Sequence, residues 1–447
     1  MCSAMTARPS VCVDVGSGWT KALGIDPDGE PTGCAQHPTT PHDLLEGVHA
    51  AAAAVGVEGP LTPRRAASDA ELLACSSAGG GLRLAVVGQE RLASEEAGRR
   101  AGCSAGARVV NVQAGLLEPA GVRALRSARP DVVLLVDGVG TEAEQTVLRN
   151  AARLARARVR APIVLAVRAG VRSDAMAVLR ATGRTVLATD AVFPAEGEIV
   201  PEPARVAMSE LLAGHLVGGR GTATTARFRR LAKETTPAAV CRGLAELVRA
   251  RGAGGGAVLV VDVGSSTTDV YSALPAASAD DVSIKGTAEA DLGMRPTVTG
   301  ILTEGQAEGV VDPVEADLLG PTARRLAEET DFLPTDAGGR AEDRRLAALA
   351  SVLAVRRHLR VAGAELAEAG VGLVLLTGGV FRQPDQAGLA AIRMTLRCDE
   401  GLRGMIGDAP VAVDDGYALA PAGLLAARGR AKAARTVLDA AIAPDQT

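Results

Sequence analysis

One short unit occurs twice in this chain, and no other feature narrows the fold as much. Val13-Asp14-Val15-Gly16-Ser17-Gly18-Trp19-Thr20-Lys21 and Val261-Asp262-Val263-Gly264-Ser265-Ser266-Thr267-Thr268-Asp269 follow one pattern, about 250 residues apart. Each reads apolar strand, Asp, Val, Gly, Ser, a small turn, then Thr. A strand–turn–strand repeat at that separation predicts two similar halves built on one plan.

The rest of the chain fits around those two units. Strands are expected at Val11–Val15 and Thr20–Ile25 in the first half, and at Val258–Val263 and Thr268–Ser272 in the second. Leu44–Val57 reads as a helix, and Cys75–Gly81 as a Gly- and Ser-containing stretch before a strand at Leu84–Val87. From Arg129 onward short apolar strands (Val132–Val136, Ile163–Val167, Thr185–Ala188) alternate with helical stretches (Glu142–Ala157, Ser173–Ala181), which indicates parallel α/β layers. Glu202–Val217 and Ala238–Arg251 read as helices, followed by the Gly-rich run Gly252–Gly256. That run sets the expected lobe boundary: residues 1–254 carry the first loop, and residues 255–447 carry the second. A long helix (Glu342–Ala369), a strand (Gly372–Leu376) ending in Thr377-Gly378-Gly379, and a helix at Ala418–Arg428 complete the pattern.

Composition excludes several classes. Aromatics are only 2% of the chain, so it lacks the stacking platforms that single-stranded nucleic acid requires. A net charge of −4 gives no electrostatic reason to expect a nucleic-acid partner either. Arg clusters such as Arg153–Arg160 and Arg227–Arg230 read as solvated helix faces. Seven Cys show no paired spacing, which predicts reduced thiols and a cytoplasmic setting rather than disulfides or a zinc site. The chain has no signal-peptide pattern at Met1–Pro9 and no apolar run of membrane-spanning length, so no membrane is expected. Neither a Walker A loop nor a nucleophile elbow is present.

The two loops carry the expected chemistry. A strand ending in Asp and then Gly sets a carboxylate beside exposed backbone N–H groups, and the Gly admits phosphate oxygens where a Cβ would stand. Gly16, Ser17, Gly18, Thr20 and Lys21 are the expected phosphate contacts of the first loop; Gly264, Ser265, Ser266, Thr267 and Thr268 are those of the second. Asp14 and Asp262 would repel phosphate, so their expected partner is hydrated Mg²⁺, which takes one or two carboxylates. Gly378 and Gly379 would form a nucleotide turn. Asp137, at the end of a buried strand, is a candidate catalytic base or water-orienting group, with a plain turn Asp beside Gly138 as the other reading. His358 reads as a surface or core-edge residue rather than a ligand.

Phosphate loop, second phosphate loop and adenosine turn, in that order, resemble the actin-like superfamily of sugar kinases, heat-shock ATPases and actin. The resemblance implies an α/β, actin-like (ribonuclease H-like) ATPase fold of two lobes, each a mixed sheet flanked by helices. Asp291-Leu292-Gly293-Met294-Arg295 is similar to the GDLGMR signature of the glutamate mutase accessory protein family, called GlmL or MutL. Asp262–Asp269, Ala191–Pro194 with Val200–Arg205, and Pro130–Asp137 with Asn150-Ala151 resemble further segments of that family. The chain departs from its pattern at Asp137–Glu142, at Ser265-Ser266 and at Ala290. The resemblance implies ATP and Mg²⁺ as cofactors, weak ATPase activity, and a role as accessory or reactivating factor for an adenosylcobalamin-dependent mutase, whose subunits would be its partners. A small-molecule kinase on the same fold and a filament-forming, non-catalytic relative are the alternatives, and a homo-oligomer is left open. Asp291 and Arg295 read either as a turn fixed by an ion pair or as a sensor coupling nucleotide state to lobe closure.

Overall fold

Residues 8–56, 70–102, 105–138, 142–195, 198–216, 225–275, 282–382 and 386–442 are described in the computed structural model. Strands are numbered in chain order. The chain opens as a meander, β1 (Ser10–Val15), β2 (Trp19–Ile25) and β3 (Pro31–Pro38), and β4 (Glu71–Ser76) then returns parallel to β1. Next come β5 (Leu82–Gly88), β6 (Ala107–Ala114), β7 (Val132–Val136), β8 (Ile163–Ala166) and β9 (Val186–Thr189). The short β10 (Glu234–Thr235) rejoins the first sheet beside β4. A second meander follows, β11 (Ala257–Val263), β12 (Thr268–Pro275) and β13 (Val282–Glu289), and β14 (Val371–Thr377) and β15 (Val411–Val413) complete its sheet.

The duplication read in the sequence is a duplication of topology. The first sheet runs β10-β4-β1-β2-β3, and the second, taken from the other end, runs β15-β14-β11-β12-β13. In both, an antiparallel hairpin carries the repeated motif and a parallel strand lies on its far side: Asp14 pairs with Lys21 and Cys75, and Asp262 with Asp269 and Thr377. This is the α/β, actin-like plan of two mixed sheets with flanking helices.

Period-two alternation builds the layers. Val258 and Val260 of β11 face a core with Cys12, Leu23 and Leu73 of the first sheet, while Leu259, Val261 and Val263 face the opposite way. Between the sheets lie helices Thr236–Arg251 and Leu419–Ala426, which cross in near backbone contact. A Cβ at Gly243 would fall 2.0 Å from the Leu419 carbonyl oxygen, and one at Gly423 would fall 1.8 Å from that of Ala239. The outer face of the second sheet is covered by helices that include Val298–Ala307, Pro313–Glu328 and the long Ala337–Ala369.

The chain divides into two compact units. The first comprises Met1–Gly80, His215–Thr287 and Asp291–Thr447; the second comprises Gly81–Gly214 with Ala288–Ala290. The expected boundary near residue 254 falls inside the first unit. Val240, Leu244 and Leu247, before the Gly-rich run, share one core with Val258 and Val260 after it. The run still separates the two sheets, whose main strands lie on either side of it. The second unit is an all-parallel sheet of order β6-β5-β7-β8-β9, as the alternating pattern after Arg129 predicts. Among the described residues, no helix is long and apolar enough to cross a membrane. Cys12, Cys34, Cys75, Cys241 and Cys398 are free thiols; Cys2 and Cys103 lie outside the described residues.

Candidate functional site

The two hairpin tips meet inside the first unit. A Cβ on Gly18 would stand 2.4 Å from the Ser265 hydroxyl oxygen. A Cβ on Gly80 would stand 3.2 Å from the Ser266 hydroxyl oxygen and 3.7 Å from Ser17 Cβ. Gly16, Ser17, Gly18, Gly264, Ser265, Ser266 and Thr267 are all half-buried, neither sealed in a core nor fully in solvent. Gly80 ends the turn Ser76–Gly80 after β4, the strand that corresponds to β14 in the duplicated plan, so this turn is the counterpart of Thr377-Gly378-Gly379.

Thr20 and Thr268 face away from that opening. Both are fully buried. The Thr20 hydroxyl lies 3.0 Å from that of Thr39, and Thr268 donates to the Leu292 carbonyl at 2.7 Å. Both hydroxyls therefore brace their hairpins from behind, and the structure does not bring them to the open side with Ser17, Ser265 and Ser266. Thr39 also bonds the Gly16 and Gly18 carbonyls, at 2.9 Å and 2.8 Å.

Asp14, Lys21 and Asp262 lie beneath the tips. Lys21 Nζ is 3.7 Å from Asp14 Oδ2, with the lysine side chain only 18% exposed. Asp14 Oδ1 accepts hydrogen bonds from the Thr236 hydroxyl and, at 3.7 Å, from the Cys75 thiol. The Asp262 main chain pairs within β11, and its side chain makes no hydrogen bond or ion pair among the described residues. Burial pushes its carboxyl above the usual carboxylate range; Lys21 opposes that rise and Asp14 adds to it. Burial alone would pull the Lys21 ammonium down. Asp14, Asp262, Tyr417 and Asp414 outweigh it and hold Lys21 well above the ordinary lysine value. One ammonium thus stands against two carboxyl groups, Asp14 buried and in contact, Asp262 half-buried and acting through space.

Gly378 follows β14 with φ 126°, and a Cβ there would fall 2.3 Å from the Val263 carbonyl oxygen at the base of the second tip. Gly379 beside it is exposed. Three groups near this edge carry no sequence signal of their own. Asp414 is buried after β15, accepts the Ala418 N–H at 2.7 Å, and is pushed up to about 6 chiefly by burial. Tyr417 lies between Lys21 and Arg382, 4.5 Å and 4.3 Å from its ring centre, and donates to Gln36 at 2.8 Å. Thr236 opens the helix after β10. Projecting the duplicated plan past the hairpins would have pointed to Ser76–Gly80, Thr236 and Asp414, because each follows one of the paired outer strands.

The other candidates belong to the second unit or prove structural. Asp137 belongs to the second unit, at the carboxyl end of β7 and fully buried. Its Oδ2 accepts from Arg168 N at 2.9 Å and Nε at 3.0 Å, and burial raises its pKa. Val139, Gly140 and Thr141, in the departing segment after it, lie outside the described residues. His358 is not at a surface or core edge but fully buried, bonded to Thr287 at 3.0 Å and Ser272 at 2.9 Å. Asp291 and Arg295 do not pair with each other: Asp291 meets Arg357 at 2.8 Å, and Arg295 meets Asp343 at 3.2 Å.

A family model described as MutL protein matches residues 10–441, nearly the whole chain. The chain belongs to the MutL protein family. The Protein MutL of Clostridium tetanomorphum is 30% identical over 310 residues, which is 65% of this chain and 65% of that relative's own length. Among solved structures, a ROK family glucokinase from Streptomyces griseus, in complex with glucose and AMPPNP, is similar at TM-score 0.34 and 12% identity, over 93% of this chain and 97% of that one. A reductive activator for a corrinoid, iron-sulfur protein is similar at TM-score 0.32 and 10% identity, over 100% of this chain and 67% of that one. The segment Asp291–Arg295 lies directly behind the second hairpin: Met294 N donates to Gly264 O at 3.0 Å and Arg295 N to Ser265 O at 2.9 Å.

Proposed function

We propose that this MutL-family chain binds Mg–ATP on its two hairpin tips and hydrolyses it slowly, as an accessory or reactivating factor for an adenosylcobalamin-dependent mutase. One observation supports the nucleotide reading above all: Ser17–Gly18 and Ser265–Ser266 converge over Asp14, Lys21 and Asp262. The residues fit the groups. Backbone N–H and serine hydroxyls line the half-buried opening and suit phosphate oxygens. Below them, two carboxyl groups set against one ammonium suit a hydrated divalent ion, which Asp14 and Asp262 would hold. Magnesium, when bound, would neutralise phosphate charge. Lys21 supplies a fixed positive charge. Gly378 packs its backbone against Val263, and the exposed Gly379 beside it leaves room for the nucleoside.

The accessory role comes from the family. Remodelling a mutase requires that the ATP and ADP states bind it with different affinity, since a nucleotide with no differential effect shifts nothing. The test is to inactivate a glutamate-mutase-type enzyme and add this protein, ATP, Mg²⁺ and fresh adenosylcobalamin. Recovery that needs all of them, and fails with a non-hydrolysable ATP analogue, is the expected result. Phosphate transfer to a small metabolite without recovery would replace this reading with the kinase one.

A further inference from the structure

We propose, resting on the nucleotide reading above, that Tyr417 is a positioning residue for Lys21: its ring keeps the ammonium beneath the hairpin tips when Asp14 is given over to a divalent ion. The need follows from how Asp14 is already bonded. Its Oδ1 accepts from the Thr236 hydroxyl and the Cys75 thiol, so the lone pairs of that oxygen are taken. Oδ2, 3.7 Å from Lys21 Nζ, is the oxygen left for a hydrated ion. Two positive charges would then meet at one oxygen and repel each other. Lys21 needs a second partner, one that does not also serve the metal.

Tyr417 meets that need. Its ring centre lies 4.5 Å from Lys21 Nζ, within cation–π reach, and the ring offers a divalent ion no charged oxygen. An aliphatic side chain would fill the same space without attracting an ammonium. Lys21, Gln36, Arg382 and Tyr417 all belong to the first unit.

The ring is held from several directions. Its hydroxyl donates to Gln36 at 2.8 Å, and Gln36 is the partner of Lys21 across β2 and β3. Arg382, 4.3 Å from the ring centre, donates to the Asp415 carbonyl at 2.9 Å. The backbone is held as well. Tyr417 has φ 55°, a left-handed conformation that a bulky residue rarely adopts. Asp414 fixes the residues that follow by accepting Ala418 N–H at 2.7 Å and Leu419 N–H at 3.3 Å. Backbone strain of this kind concentrates at functional sites, and here it sets an aromatic face beside a charged cluster.

Isothermal titration of the full chain with ATP, with and without Mg²⁺, tests this in three variants. Tyr417→Leu keeps the apolar bulk and meets the same backbone strain. Tyr417→Asn also removes the ring but accepts a positive φ, so the test stands even where the leucine variant melts early. Tyr417→Phe keeps the ring and loses only the bond to Gln36. Without metal, Lys21 still has Asp14. The expected loss in both ring-less variants is therefore about tenfold with magnesium and about threefold or less without it, with near-parent affinity in Tyr417→Phe. Equal losses with and without magnesium, or a loss in Tyr417→Phe as large as in the ring-less variants, overturn the positioning role and leave nucleotide binding in place. Ring-less variants that bind Mg–ATP like the parent overturn it as well. A parent that binds no ATP, or binds it equally without magnesium, removes the Mg–ATP reading and this proposal with it.

Discussion

Replacing Gly293 by alanine should damage the second hairpin tip more than any other single methyl group there. The added Cβ would lie 2.3 Å from the Ser266 carbonyl carbon, 2.6 Å from its oxygen and 2.7 Å from its Cα. All three are backbone atoms, so no side chain can swing aside. Reaching ordinary contact requires the segment Asp291–Arg295 and the tip to separate by about 1 Å, an overpacking that costs about 1–3 kcal/mol. That separation also stretches the bonds from Met294 N and Arg295 N, each contributing about 0.5–1.5 kcal/mol. The sum is about 2–6 kcal/mol locally, and a binding loop displaced this far loses about a hundredfold in function. Differential scanning fluorimetry and titration with Mg–ATP would read both effects. Gly363→Ala is the matched control: it sits in helix Ala337–Ala369, its nearest neighbour for a Cβ is Leu359 Cβ at 3.7 Å, and it should stabilise by about 0.5–1 kcal/mol. A Gly293→Ala protein that melts and binds like the parent would refute the close packing of Gly293 on the Ser266 backbone.

Two further outcomes follow from buried charges. Arg357→Met leaves Asp291, Glu304 and Glu308 without their shared cation and should cost about 3–5 kcal/mol, read by urea denaturation; a cost under about 1 kcal/mol would mean those carboxylates find other partners. Burial, then Lys285, depresses the His358 pKa from 6.5 to about 4. The stability this contributes is therefore present above pH 6.5 and lost as pH falls through 4, about 3 kcal/mol in all at 1.36 kcal/mol per unit. His358→Gln should flatten the stability profile between pH 7 and pH 4, and an unchanged slope would contradict the assignment.

Much of the fold was legible because the strands that carry the repeated motif are largely buried and read as apolar runs, β1 and β11 each ending in Asp-Val before Gly. β1, β2, β11 and β12 therefore stood out, as did β7, β8 and β14. What escaped were edges, short pieces and one interior strand, β4, whose short apolar run Leu72–Cys75 was not read as a strand. β3, PTGCAQHP, is half-buried at best and has no apolar alternation; β13 contains Lys285 and Gly286 and is only partly covered. β10 has two residues, and β15 has three. Edge strands of this kind bury too little to leave a hydrophobic signature. At the site, Asp14, Lys21 and Asp262 were readable from the repeat, whereas Tyr417 and Arg382 come from distant segments that only the packing brings close. The buried Thr20 and Thr268 show the limit of motif reading: the hydroxyls occupy matched positions, but their hydrogen bonds face the braces. His358 escaped for a related reason, since a helix residue flanked by Arg357 and Leu359 gives no local sign that Ser272 and Thr287 wait for its ring.

The central claim is that Asp14 and Asp262 hold a magnesium nucleotide under the two tips. Isothermal titration of ATP with and without Mg²⁺, into the parent and into Asp14→Asn and Asp262→Asn, tests it most directly. The account predicts magnesium-dependent binding at one site per chain in the parent, and a loss of about tenfold or more in the magnesium-dependent part in each variant, the equivalent of about 1.4 kcal/mol. Equal ATP affinity with and without magnesium in all three proteins, or no binding in a correctly folded parent, would contradict it.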